Sequence, residues 1–410
     1  MRDTDLLQLA LGLVPPWLVT TANFDAQARR LDIEIDFAKG GRFPCPHCAK
    51  VDCPVHDTAM QTWRHLDFFQ HQAFLHARTP RITCPDCGVK QIAVPWARTG
   101  SGFTLLFEAL VMALCREMPF AAVARVVRLS WHRVAAICKR YVDLALDQAD
   151  FSEVRRLAAD ETSRARGHDY ITLVADADAR RVLFVTEGRD ATTIKAFADD
   201  FKAHSGEPLA VESISIDMSP AFIKGVSANL PNATITFDKF HVIAHASAAV
   251  DKMRRSEQRI DPALKGLRWK LLKDRDALAP AARAELDLFV AQVATKRTAR
   301  AWLYKEQLRA ILERKQVNVV RAMLWQWTVN VMRSKVEPMK AVARMIRKHL
   351  EGVVAWTRTC QTNGFLEAIN GLFQAAKRKA RGYASFSTIR TVVFLLAGKL
   401  DFEKLNQHAA

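Results

Sequence analysis

Four cysteines occur as two Cys-x-x-Cys pairs, a spacing that suits tetrahedral zinc coordination. The pairs are Cys45-Pro46-His47-Cys48 and Cys84-Pro85-Asp86-Cys87. Proline or glycine flanks each pair, as is usual in tight metal-binding turns, so the spacing predicts one structural zinc ion bound by Cys45, Cys48, Cys84 and Cys87. Strand-like stretches at 62–69 and 73–83 predict a hairpin that brings the two pairs together.

Alternatives to this ligand set stay open at this point. Cys53 or His56, in the segment Cys53-Pro54-Val55-His56, could supply a ligand, or the segment could be a simple loop. Disulfide bonds are the other alternative, but a basic cytosolic protein would keep its thiols reduced. The remaining cysteines lie in helical apolar patterns and are predicted to be core residues: Cys115, Cys138 and Cys360.

Three acidic residues could form a second metal site with oxygen ligands. Asp160 and Asp217 lie in strand-like runs, and Glu367 lies in a helical segment. If the two strands are adjacent, their carboxylates repel each other unless divalent cations neutralise them, and hard oxygen ligands select Mg²⁺ or Mn²⁺. Glu367 shares a helix face with Asn370 and would complete the site.

Two metal ions in such a site would promote phosphoryl transfer. Held by Asp160, Asp217 and Glu367, two Mg²⁺ or Mn²⁺ ions would activate water or a hydroxyl group for in-line attack on a phosphoryl group. No covalent enzyme intermediate is required. Each acid also has a plain structural interpretation, as a strand-end cap or an exposed helical residue.

Other acidic residues are weaker candidates for metal binding. Glu161 should face the opposite side of its strand from Asp160. Asp176 and Asp178 fit a hairpin turn. Asp238 lies at a strand end, where capping residues are common. These features favour structural roles for all four.

The elements that must position the acids follow from changes in apolar periodicity. Three antiparallel strands are predicted at 156–162, 170–175 and 182–187, separated by Arg166-Gly167-His168 and Asp176-Ala177-Asp178. Then follow a helix at 191–203, a strand at 211–217, a helix from Pro220 and a strand at 233–238. A right-handed crossover would place the fourth strand beside the first, which makes Asp160 and Asp217 neighbours in an RNase H-like mixed sheet.

Residues between Phe103 and Tyr141 predict three short helices of helix-turn-helix length. Pro119 fits the first turn of the second helix, and Ser130 is a good N-cap for the third. Residues just after that cap would face base edges, and a later basic pair would bind phosphate. The candidate DNA-binding residues of the third helix are Trp131, His132, Arg133, Lys139 and Arg140. A three-helix packing module is the alternative.

The formal charge of the 410-residue chain is +17, which favours a polyanionic partner such as DNA. No charge-free apolar run reaches the roughly 18 residues of a membrane span. Leu6 to Leu13 superficially resembles a signal peptide, but Asp3 and Asp5 spoil the basic start, so an amphipathic helix in a cytosolic protein is predicted.

Residues from about Val250 to Ala355 are helical and basic in pattern, which predicts an insertion in the catalytic domain. Within it, Trp325 and Trp327 cannot share a helix face, so at least one should be core, whereas base stacking is an alternative role. The helix of Glu367 is predicted to continue into a phosphate-binding group, Lys377, Arg378, Lys379 and Arg381.

The order of these motifs resembles the ISL-three family of bacterial insertion-sequence transposases. The resemblance covers nearly the whole chain and rests on the two Cys-Pro-x-Cys pairs, the helix-turn-helix, Ala159-Asp160-Glu161, Ile216-Asp217-Met218-Ser219, Asp238-Lys239-Phe240-His241-Val242 and the segment from Thr362-Asn363-Gly364 to Arg381-Gly382-Tyr383. It implies a zinc ribbon, DNA-binding helices and a DDE active site. Related DDE families carry a helical insertion that contacts transposon-end DNA.

Two residues stand out against that resemblance. Ala49 follows Cys48 where the family has glycine, which should slightly relax the turn and leave the ligands intact. His241, three residues after Asp238, resembles the Asp-x-x-His element of several eukaryotic DDE superfamilies. It could support the active site, as could Asp238 and Asn370, or be a buried structural histidine.

The sequence therefore predicts a multidomain α+β protein. Its predicted parts are a region with the zinc ribbon (1–98), a helix-turn-helix domain (99–150), the first part of an RNase H-like mixed α/β catalytic domain (151–250), an all-helical insertion (251–355) and the second catalytic part (356–410). We expect a DDE transposase that binds terminal inverted repeats and cuts and joins double-stranded DNA in the bacterial cytoplasm. Synapsis of two ends favours a homodimer. A non-catalytic DNA-binding regulator and an RNase H-like nuclease without joining activity are the alternatives.

Overall fold

A computed structural model describes residues 2–165, 169–292 and 296–408. The chain divides into two compact units. One comprises Met1–Leu146 with Leu400–Ala410, and the other comprises Asp147–Lys399. The predicted turn Arg166-Gly167-His168 lies outside the described residues.

The first unit begins with a helix and a sheet that carries both cysteine pairs. Its elements are α1 (Asp3–Ala10), β1 (Trp17–Asp25), β2 (Arg30–Phe37), β3 (Arg42–Phe43), β4 (Cys53–Arg64), β5 (Gln72–Cys84) and β6 (Gly88–Gln91). In this part of the described chain, the strand order is β1-β2-β5-β4-β3, with β6 paired to β5. The β4–β5 hairpin is antiparallel, as predicted, although β4 starts earlier and contains Cys53 and His56. Alternating side chains of β2 enter the core, as the period of a strand requires.

Three helices follow, at the predicted places: α2 (Leu105–Glu117), α3 (Phe120–Val127) and α4 (Trp131–Asp147). Pro119 is the N-cap of α3 and not a residue of its first turn. The Ser130 hydroxyl accepts the Arg133 N–H at 3.4 Å, which confirms its predicted capping role.

A buried carboxylate ties these helices together. Glu108 is fully buried and accepts hydrogen bonds from Tyr141 at 2.9 Å and Ser101 at 2.7 Å. The side chain of Asn406, near the end of the chain, donates to the Tyr141 hydroxyl at 2.7 Å. The described residues 400–408 therefore belong to the same compact unit as α2 and α4, and Asn406 packs against both helices.

The second unit is built on a mixed sheet with five strands among the described residues. They are β7 (Arg156–Ala165), β8 (Asp169–Asp176), β9 (Arg181–Glu187), β10 (Ser213–Ile216) and β11 (Thr234–Phe237), accompanied by α5 (Ala191–Ala203) and α6 (Pro220–Asn229). The order is β11-β10-β7-β8-β9. β7, β8 and β9 are antiparallel neighbours, whereas β10 is parallel to both β7 and β11. The predicted crossover and the mixed RNase H-like sheet are confirmed.

Helices occupy the long stretch that follows the last strand. They are α7 (Lys239–Glu257), α8 (Arg268–Leu272), α9 (Pro280–Val290), α10 (Arg297–Leu312), α11 (Val317–Met332), α12 (Glu337–Lys348) and α13 (Leu350–Thr359). They share one hydrophobic core with the sheet. A Cβ at Gly352 of α13 would lie 2.3 Å from the Phe237 ring of β11, so this close approach requires glycine.

Two final helices complete the second unit, α14 (Gly364–Lys379) and α15 (Phe386–Ala397). The predicted continuation of α14 through Arg381 is wrong. Arg381 has a left-handed φ of 60°, and the Gly382 N–H donates to the Lys377 carbonyl at 2.8 Å, which closes the helix. Cys360 is also not a core residue: it is exposed, with a φ of 49°, because α13 ends at Thr359.

In the portion of the chain that is described, no helix combines the length and the apolar character needed to cross a membrane.

Candidate active site

Strand register brings three aspartates to one level of the sheet. Ser215 of β10 is paired with Ala158 of β7, so two residues further along Asp217 lies level with Asp160. Ile216 is paired with Phe237 of β11, so Asp238 is level with Asp217. Adjacent strands are about 4.8 Å apart, and the carboxylates therefore start from neighbouring backbone positions.

Helix α14 brings Glu367 to the same place by lying along β7. The Asn370 side-chain N–H donates to Asp160 Oδ2 at 2.8 Å. One turn later, Gln374 donates to the Thr162 hydroxyl at 3.0 Å. Glu367 is exposed and lies one turn before Asn370 on the same face.

The three predicted catalytic acids influence one another electrostatically. Burial raises the pKa of Asp160 to about 6, and the charges of Asp217 and Glu367 add to this rise, whereas the Glu161 N–H and His241 oppose it. Among residues 2–165, 169–292 and 296–408, however, only the four cysteines place three or more ligand atoms within 4.8 Å of one another. The carboxylates of Asp160, Asp217 and Glu367 are therefore farther apart than the four cysteine sulfur atoms.

The weaker acidic candidates have structural partners. Glu161 is 3.5 Å from the Arg189 guanidinium, although burial and the charge of Asp217 raise the pKa of Glu161. Asp176 Oδ1 accepts the N–H groups of Asp178 and Ala179, both at 3.0 Å, as a hairpin-turn residue does.

Asp238 connects the sheet to the start of α14. Its carboxylate accepts the Phe240 N–H at 2.8 Å, which caps α7, and it also accepts the Asn363 N–H. The Asn363 side chain donates to the Ala159 carbonyl at 3.3 Å, next to Asp160. Asn363 is part of the Thr362-Asn363-Gly364 motif, but no local sequence signal predicts its contacts with Asp238 and Ala159.

His241 lies in the first turn of α7 near this cluster. Its Nε2 is buried and has no hydrogen-bond partner in the described structure. The Asn370 side-chain oxygen is also buried without a partner. Two polar atoms beside Asp160 are thus available to a ligand.

The first turn of α4 presents three of the predicted DNA-binding residues to solvent: Trp131, His132 and Arg133. The Arg133 guanidinium lies 4.9 Å from the centre of the Phe103 ring, which steadies it. Lys139 is ion-paired with Asp143, and Arg140 lies 3.6 Å from buried Glu108. The Lys139 ion pair lies within α4 and is exposed, whereas Arg140 connects α4 to Glu108 of α2.

The basic residues at the end of α14 differ in their surroundings. The Lys377 ammonium donates to the Ser163 carbonyl at 2.8 Å and thereby helps to hold α14 against β7. Arg378, Lys379 and Arg381 are exposed. Of these residues, Arg378 lies on the face of α14 that carries Glu367, about three turns later, whereas Arg381 follows the end of the helix.

Trp325 and Trp327 of α11 divide as predicted between surface and core. Trp327 is buried and its indole N–H donates to the Tyr304 carbonyl at 3.0 Å. Trp325 is 52% exposed and lines a largely apolar cavity of about 700 Å³. Base stacking on Trp325 stays a prediction.

The four predicted zinc ligands meet in the first unit. Their sulfur atoms all lie within 4.8 Å of one another, and Cys48 Sγ is 3.6 Å from Cys84 Sγ. An edge of a zinc–thiolate tetrahedron is about 3.8 Å, so this spacing fits the ion. The N–H groups of Cys48 and His47 donate to Cys45 Sγ and lower the pKa of Cys45 to about 7, whereas the hydrogen bond with the Cys48 thiol raises the pKa of Cys87 to about 12. Zinc requires thiolates, so its binding would displace the shared protons.

Neither alternative ligand belongs to this cluster. Cys53 begins β4, and its thiol donates to the Lys50 carbonyl at 3.4 Å. His56 Nδ1 is 3.3 Å from an Asp57 oxygen. The four cysteines could therefore bind zinc without help from either residue.

Ala49 does not relax its turn, contrary to expectation. It has a left-handed φ of 56°, and Gly88 has a φ of 74° in the equivalent position after Cys87. The Ala49 N–H donates to the Cys45 carbonyl at 2.9 Å, so the turn is kept despite the strain that a Cβ creates there.

Ala49→Gly is expected to increase the free energy of unfolding of the zinc-loaded first unit by about 1 kcal/mol, because glycine removes that strain. Denaturant titration of the full chain with saturating zinc would measure the change. Gly88→Ala is the matched control and should have the opposite effect. Unchanged or lower stability of Ala49→Gly would contradict the left-handed assignment.

Comparison with known proteins matches three segments of the chain to transposase domains. Residues 157–393 match a transposase family, residues 92–142 match the helix-turn-helix domain of transposase family ISL3, and residues 41–87 match the zinc finger of the transposases of IS204, IS1001, IS1096 and IS1165.

Two named relatives extend the similarity over most of the chain. The transposase for insertion sequence element IS1001 from Bordetella parapertussis is 26% identical over 348 residues, which cover 83% of this chain and 85% of the relative. The transposase for insertion sequence element IS1557 from Mycobacterium tuberculosis is 29% identical over 385 residues, with 86% of each chain covered. The chain thus belongs to the ISL3 family of transposases, with a zinc ribbon, a DNA-binding helix-turn-helix and a DDE domain.

Proposed function

We propose that this DNA-processing enzyme binds the terminal inverted repeats of an insertion sequence and catalyses metal-dependent cleavage and strand transfer. The observation that carries the proposal is the alignment of Asp160 with Asp217 across β7 and β10, with α14 fixed to Asp160 by Asn370. This arrangement supports Glu367, which precedes Asn370 by one helical turn, as the third acid.

Asp160, Asp217 and Glu367 are the residues that we propose to hold two Mg²⁺ or Mn²⁺ ions. The donor set fits these ions because it consists of carboxylate oxygens. Burial and the two other acids raise the pKa of Asp160, and a nearby cation would counter both effects. The unpartnered side-chain oxygen of Asn370 adds a buried acceptor beside Asp160. When bound there, the ions supply activation of water or a 3′ hydroxyl and neutralise charge on the phosphate.

The side chains themselves have positioning and binding roles in this scheme. Asn370 orients the Asp160 carboxylate through its hydrogen bond. Asp238 and Asn363 fix the start of α14 relative to β7, and so set the position of Glu367. Lys377, Arg378, Lys379 and Arg381 would contact phosphates near the cut. His241 would support the site from α7.

Incubation of the protein with end-bearing duplex DNA and Mg²⁺ tests the proposal. Cleavage at the element end followed by joining to a target is the expected result. Binding without cleavage would indicate a regulator, and cleavage without joining would indicate a nuclease. Inverted repeats in the DNA that flanks the coding region would identify the duplex to use.

We also propose a division of DNA contacts between two helices. Exposed Trp131, His132 and Arg133 at the start of α4 would read bases, whereas the basic end of α14 would bind the DNA backbone. Lys139 and Arg140 would add phosphate contacts only by weakening their ion pairs with Asp143 and Glu108.

Arg133→Ala is expected to weaken binding to the element end more than to random DNA, by about 1–3 kcal/mol for a lost bidentate base contact. Neutralising Lys377, Arg378 and Lys379 together should instead weaken binding to all sequences and flatten the salt dependence, because fewer counterions are released. Binding curves at several salt concentrations, for end and scrambled duplexes, measure both effects.

Arg125→Ala is the matched control, since Arg125 is exposed on α3 of the same helix-turn-helix. It should leave the ratio of end to scrambled affinity unchanged. Equal losses on both duplexes for Arg133→Ala would mean that α4 contacts only the backbone.

Two further proposals concern the assembly and its setting. Synapsis of two element ends requires two catalytic centres, so we expect a homodimer on DNA. Bacterial DNA lies in the cytoplasm, which is therefore the expected compartment.

A further inference from the structure

A polar cavity of about 630 Å³ lies at the N-terminus of α14. Its walls come from the start of β7, the turn between β8 and β9, and the residues that lead into α14. The lining residues that matter here are Arg156, Asp178, Arg180, Gln361, Gly364 and Phe365. None of the three proposed metal ligands lines this cavity, so it is a separate site.

The start of α14 offers backbone donors to the cavity. The side chain of the N-cap residue Asn363 makes no capping hydrogen bond. Within the described ranges, no protein group accepts the N–H of Gly364 or Phe365. Free N–H groups and the helix dipole favour an anion at such a place.

Gln361 is an independent indication of a ligand. It lines the cavity and is only 6% exposed. Both polar atoms of its side-chain amide are buried and without hydrogen-bond partners in the described part of the chain. Because buried amides are normally hydrogen-bonded, a ligand that accepts from Nε2 would satisfy a donor that the protein leaves free.

Two arginines give the cavity a positive charge. Arg180 is exposed in the β8–β9 turn, and no acidic side chain of the described residues pairs with it. Arg156 makes a bidentate ion pair with Asp178, and both side chains are almost half exposed. Arg180 therefore supplies the net positive charge among these side chains, and the Arg156 guanidinium can contact a phosphate only by exchanging Asp178 for it; guanidinium groups match phosphate in shape and charge.

We propose that this cavity binds a backbone phosphate of the DNA substrate. The Gly364 and Phe365 N–H groups, the Gln361 amide and the guanidinium groups of Arg156 and Arg180 are its ligands. The inference rests on the proposed function for the identity of the DNA. Gly364 precedes Glu367 by three residues, about 4.5 Å along the helix axis, so the bound phosphate is close to the one that is cut.

The test combines arginine variants with neutral phosphates in the DNA. Duplexes that carry one methylphosphonate at a time are bound to wild-type protein and to Arg156→Gln/Arg180→Gln. At least one methylphosphonate near the cleavage position should weaken wild-type binding about fivefold and have no effect on the double variant. Because one phosphate contact is lost, the double variant should also release about one fewer counterion, and Arg180→Gln alone should shift the salt dependence in the same direction.

Lys195→Gln provides the matched control, because Lys195 is exposed on α5 of the same unit and outside the cavity. It should retain both the wild-type salt dependence and the methylphosphonate pattern. Arg180→Gln is the second variant, for the case in which the double variant does not fold. The exposed Arg180 side chain makes no ion pair in the described structure, so its replacement should leave the fold intact. Identical methylphosphonate patterns and salt dependences for wild type and Arg180→Gln would overturn the phosphate site.

This result can be separated from failure of the proposed function. If wild type cuts and joins end-bearing DNA while both arginine variants bind like wild type, only the phosphate site is wrong. If wild type neither cuts nor joins, the transposition proposal fails. Salt dependences on a random duplex still test the phosphate site in that case, because backbone contacts are independent of sequence.

Discussion

Asp160→Asn, Asp217→Asn and Glu367→Gln are each expected to reduce cleavage and strand transfer by about a thousandfold or more. A thousandfold loss corresponds to about 4 kcal/mol of transition-state stabilisation. The amides retain the size of the side chains and remove the negative charge that would hold Mg²⁺ or Mn²⁺ at the scissile phosphate. Binding to end-bearing DNA should stay nearly unchanged, because the bases are read elsewhere. Gel-based cleavage and joining assays beside binding titrations measure the two effects separately.

The amide substitutions suit this structure better than alanine. Asp160 Oδ1 accepts the Glu161 N–H at 2.8 Å, and Asp217 Oδ1 accepts the Ser219 N–H at 2.9 Å. An asparagine oxygen can accept the same bonds, so the backbone should keep its course. In Asp160→Asn the Asn370 amide must also turn over, so that its unpartnered oxygen accepts from the new NH₂ group. Loss of activity would then report the missing charge and not a local collapse.

Asp176→Asn is the matched control for these variants. Asp176 is also a buried aspartate of the same sheet that accepts nearby backbone N–H groups, but it lies in the β8–β9 turn. Its activity should stay within about threefold of wild type, because no role in metal binding is proposed for it. Retained cleavage in Asp160→Asn, Asp217→Asn or Glu367→Gln would remove that residue from the metal site.

The sheet could be predicted from the sequence because its determinants are local. Short apolar runs with intervening turn residues indicated β7, β8 and β9, and a single crossover of fixed handedness placed β10 beside β7. Asp160 and Asp217 each lie at the end of an apolar run. Their proximity therefore required only element types and one topological rule.

Features that depend on tertiary contacts were not predictable in the same way. The link from Asp238 through Asn363 to Ala159 joins residues more than a hundred positions apart. Nothing in the local pattern shows which backbone carbonyl Asn363 will contact. The same holds for Asn406, whose side chain donates to the hydroxyl of Tyr141, 265 positions earlier in the chain.

Helix C-terminal ends account for two of the errors in element boundaries. Cys360 and Arg381 follow apolar or basic runs with helical spacing, but both adopt left-handed backbone conformations just beyond a helix. Glycine at 382 was the local signal for the end of α14, whereas Cys360 has no glycine to mark it. Periodicity alone extends a helix until a breaker appears.

Cys45→Ser and Cys84→Ser are expected to unfold the zinc ribbon and to abolish zinc binding. The wild-type chain should contain one zinc ion, which element analysis by mass spectrometry can measure in freshly purified protein. Zinc bound by four thiolates contributes about 10–16 kcal/mol in small zinc domains, which exceeds the stability of most single domains, so loss of one ligand should be severe. If the zinc ribbon stabilises the helix-turn-helix, the variants that lose zinc should also bind end DNA with lower affinity.

Cys53→Ser is the control that distinguishes loss of a zinc ligand from loss of an ordinary buried cysteine. Cys53 is as buried as Cys45, each 2% exposed, and lies in the same domain, but its thiol donates to the Lys50 carbonyl and is not among the four clustered sulfurs. A serine hydroxyl can make the same hydrogen bond, so this variant should keep one zinc ion and lose little stability. His56→Ala should likewise keep the metal, since His56 lies beside Asp57. Zinc loss in Cys53→Ser or His56→Ala with retention in Cys45→Ser would show that the ligand set is wrong, and a zinc-free wild-type chain would show that the cluster is not a metal site.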